Sequence, residues 1–431
     1  MLTQYLFIFA QVHDDFRIPE LLSISELYGF EIKFPEDRDT SSPFMILGLE
    51  GEEHARLLAR RCILIRYICE FYARGKSYEE VHERNRTRSS LWEKYIEDTS
   101  FKFLVTSFNH TIPQWRQKDV VESFSYMEFR GKIEMKNPGI TLTVFEEYPD
   151  KHGTTREKTE GDGEFDEVWF GRLIEVGSAR PLAKTFDVKK RVYYGNTSME
   201  AEMSLLMANQ TLASPGKLIY DPFIGTGSMA YTTAHFGAFV FGSDIDGRQM
   251  RGKELFDAIV TDPPYGVRAG AKRLGRKDNR PLREGPPPVH VERPDDQPYV
   301  PPTKPYELSE LARDLVILAR YMLKPRGRLV FFLPTVTEEY EELDIQAMLC
   351  DGMELVANSL QNFGSWGRRL ITIRKTTTEA YPPPTFDPAH AVTENVDVHV
   401  PAHKDFREKY FHGFKKNDIS IESGELALGN E

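Results

Sequence analysis

The chain has 431 residues, too many for one ordinary core, so two or three domains are expected. Hydrophobic residues make up 40% and aromatic residues 12%, which excludes a generally disordered chain. A formal net charge of −11 excludes a protein that holds nucleic acid by bulk positive charge, so any such role must rest on local patches.

Met1 to Val12 is apolar but has neither a basic flank nor a small-residue cleavage site, and no apolar run reaches the ~18 residues of a membrane span. A soluble, cytoplasmic chain with no membrane partner is expected. Tyr5 to Gln11 and Pro43 to Leu49 read as strands around a helix from Pro19 to Tyr28, giving an α+β domain over residues 1–95. Cys62, Cys69 and Cys350 form no CxxC pair and have no histidines at zinc-finger spacing, so neither a disulfide framework nor a metal site is expected. The run His82 to Lys94, with Arg84, Arg86, Arg88 and Lys94, reads as a solvated helix face or an RNA contact.

A second α+β domain is expected over 96–180, with strands Phe101 to Phe108 and Ile140 to Glu147 and a helix from Gln114 to Ser125. Asp150 to Asp166 reads as a loop. The pattern changes at Leu218 to short apolar strands separated by helices, the α/β signature. Leu218 to Tyr220, Phe239 to Gly242, Phe256 to Thr261 and Arg328 to Leu333 are the strands, and Glu354 to Leu360 with Arg369 to Arg374 form a closing hairpin. A catalytic domain over 181–376 follows, interrupted by a Pro-rich, partly basic insert over 268–305 that reads as a mobile loop. There Arg268, Lys272, Arg273, Arg276 and Lys277 are candidates for contact with a nucleic-acid backbone. The tail 377–431 is polar apart from the aromatic cluster Phe406 to Phe414 and carries no chemistry that can be assigned.

Asp221-Pro222-Phe-Ile-Gly225-Thr226-Gly227-Ser-Met-Ala230 follows a strand and opens a helix, so its glycines permit a tight turn and close approach of a ligand to backbone N–H groups. Gly225, Gly227 and Ala230 also satisfy dinucleotide spacing with Asp244 downstream, which leaves a nicotinamide or flavin enzyme open at this point. Asp262-Pro263-Pro264-Tyr265, directly after the strand Phe256 to Thr261, separates the two. A carboxylate and a Pro carbonyl at a strand's end accept both hydrogens of an exocyclic amine, while a Tyr ring stacks on the base. The paired prolines stiffen the loop, which suits in-line methyl transfer, where alignment is the main demand. Asp262 need not remove the proton first.

Asp262 to Tyr265 resembles the amino-methyltransferase D/N-P-P-Y motif, and Asp221 to Ser228 is similar to the cofactor loop of those enzymes. Together with Tyr194-Gly-Asn-Thr-Ser-Met199, Gly242-Ser-Asp-Ile-Asp246 and Thr261 to Gly266, they resemble the catalytic subunits of eukaryotic tRNA guanine-10 N2-methyltransferases. Phe129 to Pro138 and Val144 to Tyr148 are similar to that family's THUMP domain, associated with tRNA binding, with Phe170-Gly-Arg172 leading into the catalytic domain. The resemblance implies a class I, Rossmann-like S-adenosyl-L-methionine methyltransferase domain behind an α+β and a THUMP-like domain. It implies Asp262, Pro263, Pro264 and Tyr265 around the target amine and base. Asp221, Pro222, Gly225, Thr226, Gly227 and Thr197 are implied for cofactor binding, with Asp244 on the ribose hydroxyls. It also implies a small zinc-binding activator subunit that covers apolar surface.

One departure matters. In this fold a helix, an edge strand and another helix normally separate the strand ending at Asp244 from the catalytic strand, yet here only the nine residues Gly247 to Leu255 intervene. They reach roughly 30 Å fully extended, too little for both a helix and a strand, so an internal deletion after Gly252 is expected. Phe239 and Phe241 then belong to a new apolar sheet edge and the cofactor pocket lacks a wall. A transcript lacking an internal segment is favoured over a divergent member, because the break joins intact motifs abruptly. A tRNA-binding protein without catalysis and a DNA amino-methyltransferase are the other readings carried forward.

Overall fold

A computed structural model describes residues 2–36, 39–149, 163–191, 194–195, 198–243, 255–267, 270–274, 303–384 and 400–413. In chain order the elements are β1 (Thr3–Phe9), α1 (Arg17–Tyr28), β2 (Phe44–Leu49), α2 (Glu52–Arg61), β3 (Ile65–Gly75), α3 (Tyr78–Arg86), β4 (Phe101–Phe108), α4 (Gln114–Ser123), β5 (Ile140–Glu147), β6 (Glu167–Val176), α5 (Leu182–Thr185) and α6 (Ala201–Gln210). They continue as β7 (Leu218–Asp221), α7 (Ser228–His235), β8 (Phe239–Gly242), β9 (Phe256–Thr261), β10 (Lys272–Leu274), β11 (Thr303–Pro305), α8 (Leu308–Met322), β12 (Leu323–Val336), α9 (Leu343–Gln346), β13 (Met353–Asn362), β14 (Trp366–Lys375) and α10 (Phe406–His412). The chain separates into two compact units, one from 1–194, 198–217 and 227–240, the other from 195–197, 218–226 and 241–431.

The first unit is built on a six-stranded sheet of order β2-β1-β3-β6-β5-β4, antiparallel except for the β4–β5 pair. The stretches 1–95 and 96–180 share this sheet, joined where β3 pairs with β6. Glu70 and Arg172 face each other across that seam, and Arg172 Nε donates to Glu70 Oε2 at 2.8 Å, so both charges are neutralised at the sheet's centre. The paired strands approach closely there: a Cβ on Gly171 would lie 2.3 Å from the Glu70 carbonyl oxygen, which only glycine avoids. Phe170-Gly171-Arg172 is therefore the middle of a central strand.

Helices α6 and α7 also belong to this unit. A buried polar node ties α6 to α1 and to the end of α2. Asn209 Nδ2 donates to Glu20 Oε1 at 2.7 Å, Arg61 Nε donates to Asn209 Oδ1 at 2.7 Å, and the amides of Ile63 and Leu64 donate to the Glu20 carboxyl. Burial pushes Glu20 up to about 7, against these donors and the nearby Arg61. The Arg61 guanidinium stacks 3.3 Å from the Phe236 ring centroid, just beyond α7.

The second sheet has order β13-β14-β12-β9-β7-β8. β7, β9 and β12 are parallel, and β14 and β13 close the other side as an antiparallel hairpin. β12 pairs with β9 and β14 and is apolar and buried from Leu329 to Leu333, and α8 lays Leu311, Leu315, Ala319 and Met322 into the shared core. Among the described residues the sheet ends at β8, where Phe239 is 62% and Phe241 42% exposed, as the short Gly247 to Leu255 link leads one to expect. The ends of the insert, expected as a mobile loop, pair as the ribbon β10–β11, and 275–302 lie outside the described residues. The tail docks: Phe406 is 1% exposed in the same core as α8, and the Ala402 amide donates to Asp344 Oδ2 at 3.0 Å.

Candidate active site

Two loops emerge at the carboxyl ends of neighbouring parallel strands, the first after β7 and the second after β9. Ligands of open α/β sheets bind at such ends. Asp221, the last residue of β7, is fully buried, and its Oδ1 accepts from the Phe223 amide at 3.1 Å and from Thr261 Oγ1 at 3.0 Å. Thr261 is the last residue of β9 and is also fully buried. This hydroxyl links the roots of the two loops, whose strands already pair in the sheet.

The first loop is pinned at its root as well. The Ile224 amide donates to the Ser243 carbonyl at 3.0 Å, the Ser243 amide donates to the Asp221 carbonyl at 2.9 Å, and the Tyr220 and Ser243 hydroxyls lie 2.7 Å apart. A Cβ on Gly242 would lie 2.1 Å from Ile224 Cδ1, so glycine permits β8 to approach the loop. Gly225 (φ 48°) and Gly227 (φ 78°) both take the left-handed conformation, the latter as the N-cap of α7. Glycines of this conformation turn the backbone tightly and let a ligand such as S-adenosylmethionine approach it closely. Pro222 and Thr226 lie within the same turn. Asp244 and Thr197 lie outside the described residues.

In the second loop Pro263 is buried while Asp262, Pro264 and Tyr265 are half-buried. The Tyr265 hydroxyl donates to Asp262 Oδ1, so the Tyr side chain turns back onto the carboxyl at the loop's start. The Tyr265 ring packs on the core that holds Phe406. Among the described residues no group of three or more His, Cys, Asp or Glu side chains could hold a metal ion, and no helix is long and apolar enough to cross a membrane.

The basic residues of the charge run are engaged locally in the first unit. Arg84 donates to the Arg74 carbonyl and pairs with Glu80 at 3.3 Å, Arg86 lies over the Tyr126 ring, and Arg88 donates to the Tyr72 carbonyl at 3.4 Å. Arg74, Arg84 and Arg88 nevertheless line one cleft of about 290 Å³ with Phe71 and Tyr72. In the insert, Arg273 is paired with Glu310 at 3.1 Å, so its charge is already met, while Lys272 is exposed. Arg268, Arg276 and Lys277 lie outside the described residues.

Residues 3–180 match the family described as the Tmrp11 THUMP N-terminal domain. The tRNA (guanine(10)-N(2))-methyltransferase of Schizosaccharomyces pombe is 35% identical over 412 residues, covering 88% of this chain and 82% of that protein. The Saccharomyces cerevisiae tRNA (guanine(10)-N(2))-methyltransferase is 32% identical over 456 residues, with coverage of 95% and 99%. The Homo sapiens protein of the same name is 30% identical over 468 residues, with coverage of 96% of each chain. The last two alignments are longer than the 431 residues of this chain, so they open gaps within it. The second sheet, with its parallel strands and closing hairpin, is a Rossmann-like α/β sheet. By these identities and coverages, the chain belongs to the tRNA (guanine(10)-N(2))-methyltransferase family.

Proposed function

We propose that this chain transfers a methyl group from S-adenosyl-L-methionine to the exocyclic N2 amine of guanosine 10 in tRNA. The observation that carries the reading is the hydrogen bond from Thr261 to Asp221, which links the root of the Asp262-Pro263-Pro264-Tyr265 loop to that of the glycine turn.

The bound cofactor supplies an electrophilic methyl carbon on a sulfonium. The amine's lone pair would take that methyl carbon with release of S-adenosylhomocysteine, and one amine proton would pass to solvent. The ring delocalises that lone pair, so acceptors that draw on both N–H groups favour a pyramidal nitrogen. Asp262 and the Pro263 carbonyl are those acceptors in this reading, with Pro264 stiffening the loop and Tyr265 against the base. The Tyr265 hydroxyl steadies the Asp262 carboxyl before substrate enters. Asp221, Gly225 and Gly227 would line the methionine end of the cofactor and Asp244 would bind its ribose, with Pro222, Thr226 and Thr197 also in contact with it.

The same reading divides the chain's labour. Residues 1–95 and 96–180 bind tRNA, and in the cleft of Arg74, Arg84 and Arg88 it is Arg88, donating only to neutral oxygens of Tyr72 and Gln4, that offers charge for a phosphate. Residues 181–376 carry the chemistry, and the deletion falls between Asp246 and Phe256. A small zinc-binding activator subunit covers apolar surface of the catalytic domain, for which exposed Phe239 and Phe241 are candidates. The cytoplasm is the compartment.

Transcripts carrying guanosine or inosine at position 10 test the proposal, since inosine lacks only the N2 amine. Labelled methyl groups should enter the guanosine transcript and not the inosine one. Equal labelling would place the reaction on another atom.

A further inference from the structure

The tail, to which the sequence assigns no chemistry, docks beside the catalytic loop. Gly266 follows Tyr265 with φ 86°, and a Cβ placed there would lie 3.1 Å from Arg407 Cδ and 3.3 Å from Arg407 Cβ. The aliphatic stem of Arg407, on α10, is thus seated against the turn that ends the Asp262-Pro263-Pro264-Tyr265 loop. Arg407 itself is exposed, and among the described residues its guanidinium has no hydrogen bond or ion pair. Phe406 anchors the helix in the core next to it.

The sheet register puts an aromatic patch at the same end. β9 ends at Thr261 opposite Phe331 of β12, and β12 runs on to Val336, opposite Trp366 at the start of β14. The tip of the β13–β14 hairpin therefore rises beyond the strand ends that carry the catalytic loop. Trp366 lies 4.7 Å from the Phe363 ring, 5.6 Å from Phe406 and 5.6 Å from Tyr410, and Tyr410 lies 5.5 Å from Phe411, centroid to centroid. Phe363 is 46% and Phe411 61% exposed. Exposed rings beside an unpaired guanidinium are what single-stranded or unstacked RNA binds, by base stacking and phosphate contact.

We infer that α10 and the β13–β14 tip form a wall of the target-nucleotide site, in which Arg407 binds a phosphate flanking the methylated nucleotide and Phe411 stacks on a neighbouring base. The inference rests on the tRNA reading above and gives it a contact surface outside the first unit. Arg407 is a substrate-binding residue whose stem also supports the catalytic turn.

The test is the affinity of the full chain for unmodified tRNA across a salt series, with Arg407→Ala, Arg407→Lys and Phe411→Ala, followed by methyl transfer with each. Arg407→Ala should weaken binding about fivefold to tenfold near 0.1 M salt and lower the slope of log K against log salt by about 0.7–0.9, one phosphate's share. Arg407→Lys should restore the slope, and Phe411→Ala should weaken binding without changing it. Unchanged affinity and slope in Arg407→Ala would overturn the inference. So would a loss of methyl transfer alone with binding intact, which would leave Arg407 as a buttress of Gly266. If Phe411→Ala leaves RNA affinity untouched, the rings serve a protein partner and the stacking claim fails. A wild-type chain that binds tRNA without methylating it contradicts the proposed function, while the salt slopes still decide the inference; one that binds no tRNA contradicts both.

Discussion

Thr261→Val removes one oxygen and almost nothing else. The valine keeps the β-branched shape that β9 favours, so it leaves no cavity and no strained backbone. What disappears is the 3.0 Å bond from Thr261 Oγ1 to Asp221 Oδ1, between two fully buried side chains. Hydrogen bonds to charged groups contribute about 1.5–3 kcal/mol. Asp221 Oδ1 keeps the Phe223 amide at 3.1 Å, which limits the damage and places the expected loss near ~2 kcal/mol. Urea unfolding followed by fluorescence, with calorimetric titration of S-adenosylhomocysteine, reads both consequences. The transition of the second unit should move to lower urea with its slope unchanged, and cofactor affinity should fall roughly tenfold as the two loops lose this link. Thr261→Ser, which restores the hydroxyl, should recover most of both. A valine variant within ~0.5 kcal/mol of the wild type and with unaltered affinity would refute the argument that this hydroxyl couples the loops.

Other perturbations separate folding from chemistry. Burial raises Glu20 from 4.5 to about 7, so its neutral form is favoured in the folded chain. The associated stability is fully present below the unfolded value and is lost as pH rises through about 7, by up to ~3 kcal/mol, and Glu20→Gln should flatten the melting temperature between pH 5 and 8. A Glu20→Gln profile as steep as the wild type's would contradict that. Phe239→Lys puts a charge on the exposed edge strand, so light scattering should show less self-association while the unfolding free energy stays within ~0.5 kcal/mol. Undiminished association would mean that β8 is not the adhesive edge. Tyr265→Phe removes the hydroxyl that Asp262 Oδ1 accepts and keeps the ring, so kcat should fall by less than ~10-fold with KM for tRNA nearly constant. A rise in KM with kcat unchanged would assign the hydroxyl to substrate binding instead.

The strands that carry the site were legible because each is apolar and ends in a motif of restricted conformation. Leu218–Asp221 ends at the glycine turn and Phe256–Thr261 at the paired prolines, and both lie where their patterns put them. The edge exposure of Phe239 and Phe241 was legible from chain length alone, since nine residues cannot supply a further helix and strand. β3 and β6 are not legible as strands. Their apolar pattern is broken by Glu70 and Arg172, whose neutralisation depends on a cross-strand pairing between residues that are remote in sequence. Docking of 400–413 was hidden for a similar reason, because a short polar segment with a few aromatics declares its contacts only once Trp366 and Gly266 stand beside it. The Thr261–Asp221 bond, the central geometric fact of the site, joins the last residues of two strands and has no signature in either one.

Transfer of labelled methyl groups from S-adenosylmethionine to unmodified tRNA, with Asp262→Ala in parallel and the product nucleosides separated, tests the central claim most directly. The account predicts N2-methylguanosine from the wild-type chain and its loss in Asp262→Ala, with tRNA affinity preserved in both. Undiminished N2-methylguanosine from Asp262→Ala, or a tRNA-bound wild-type chain that transfers nothing, would contradict it.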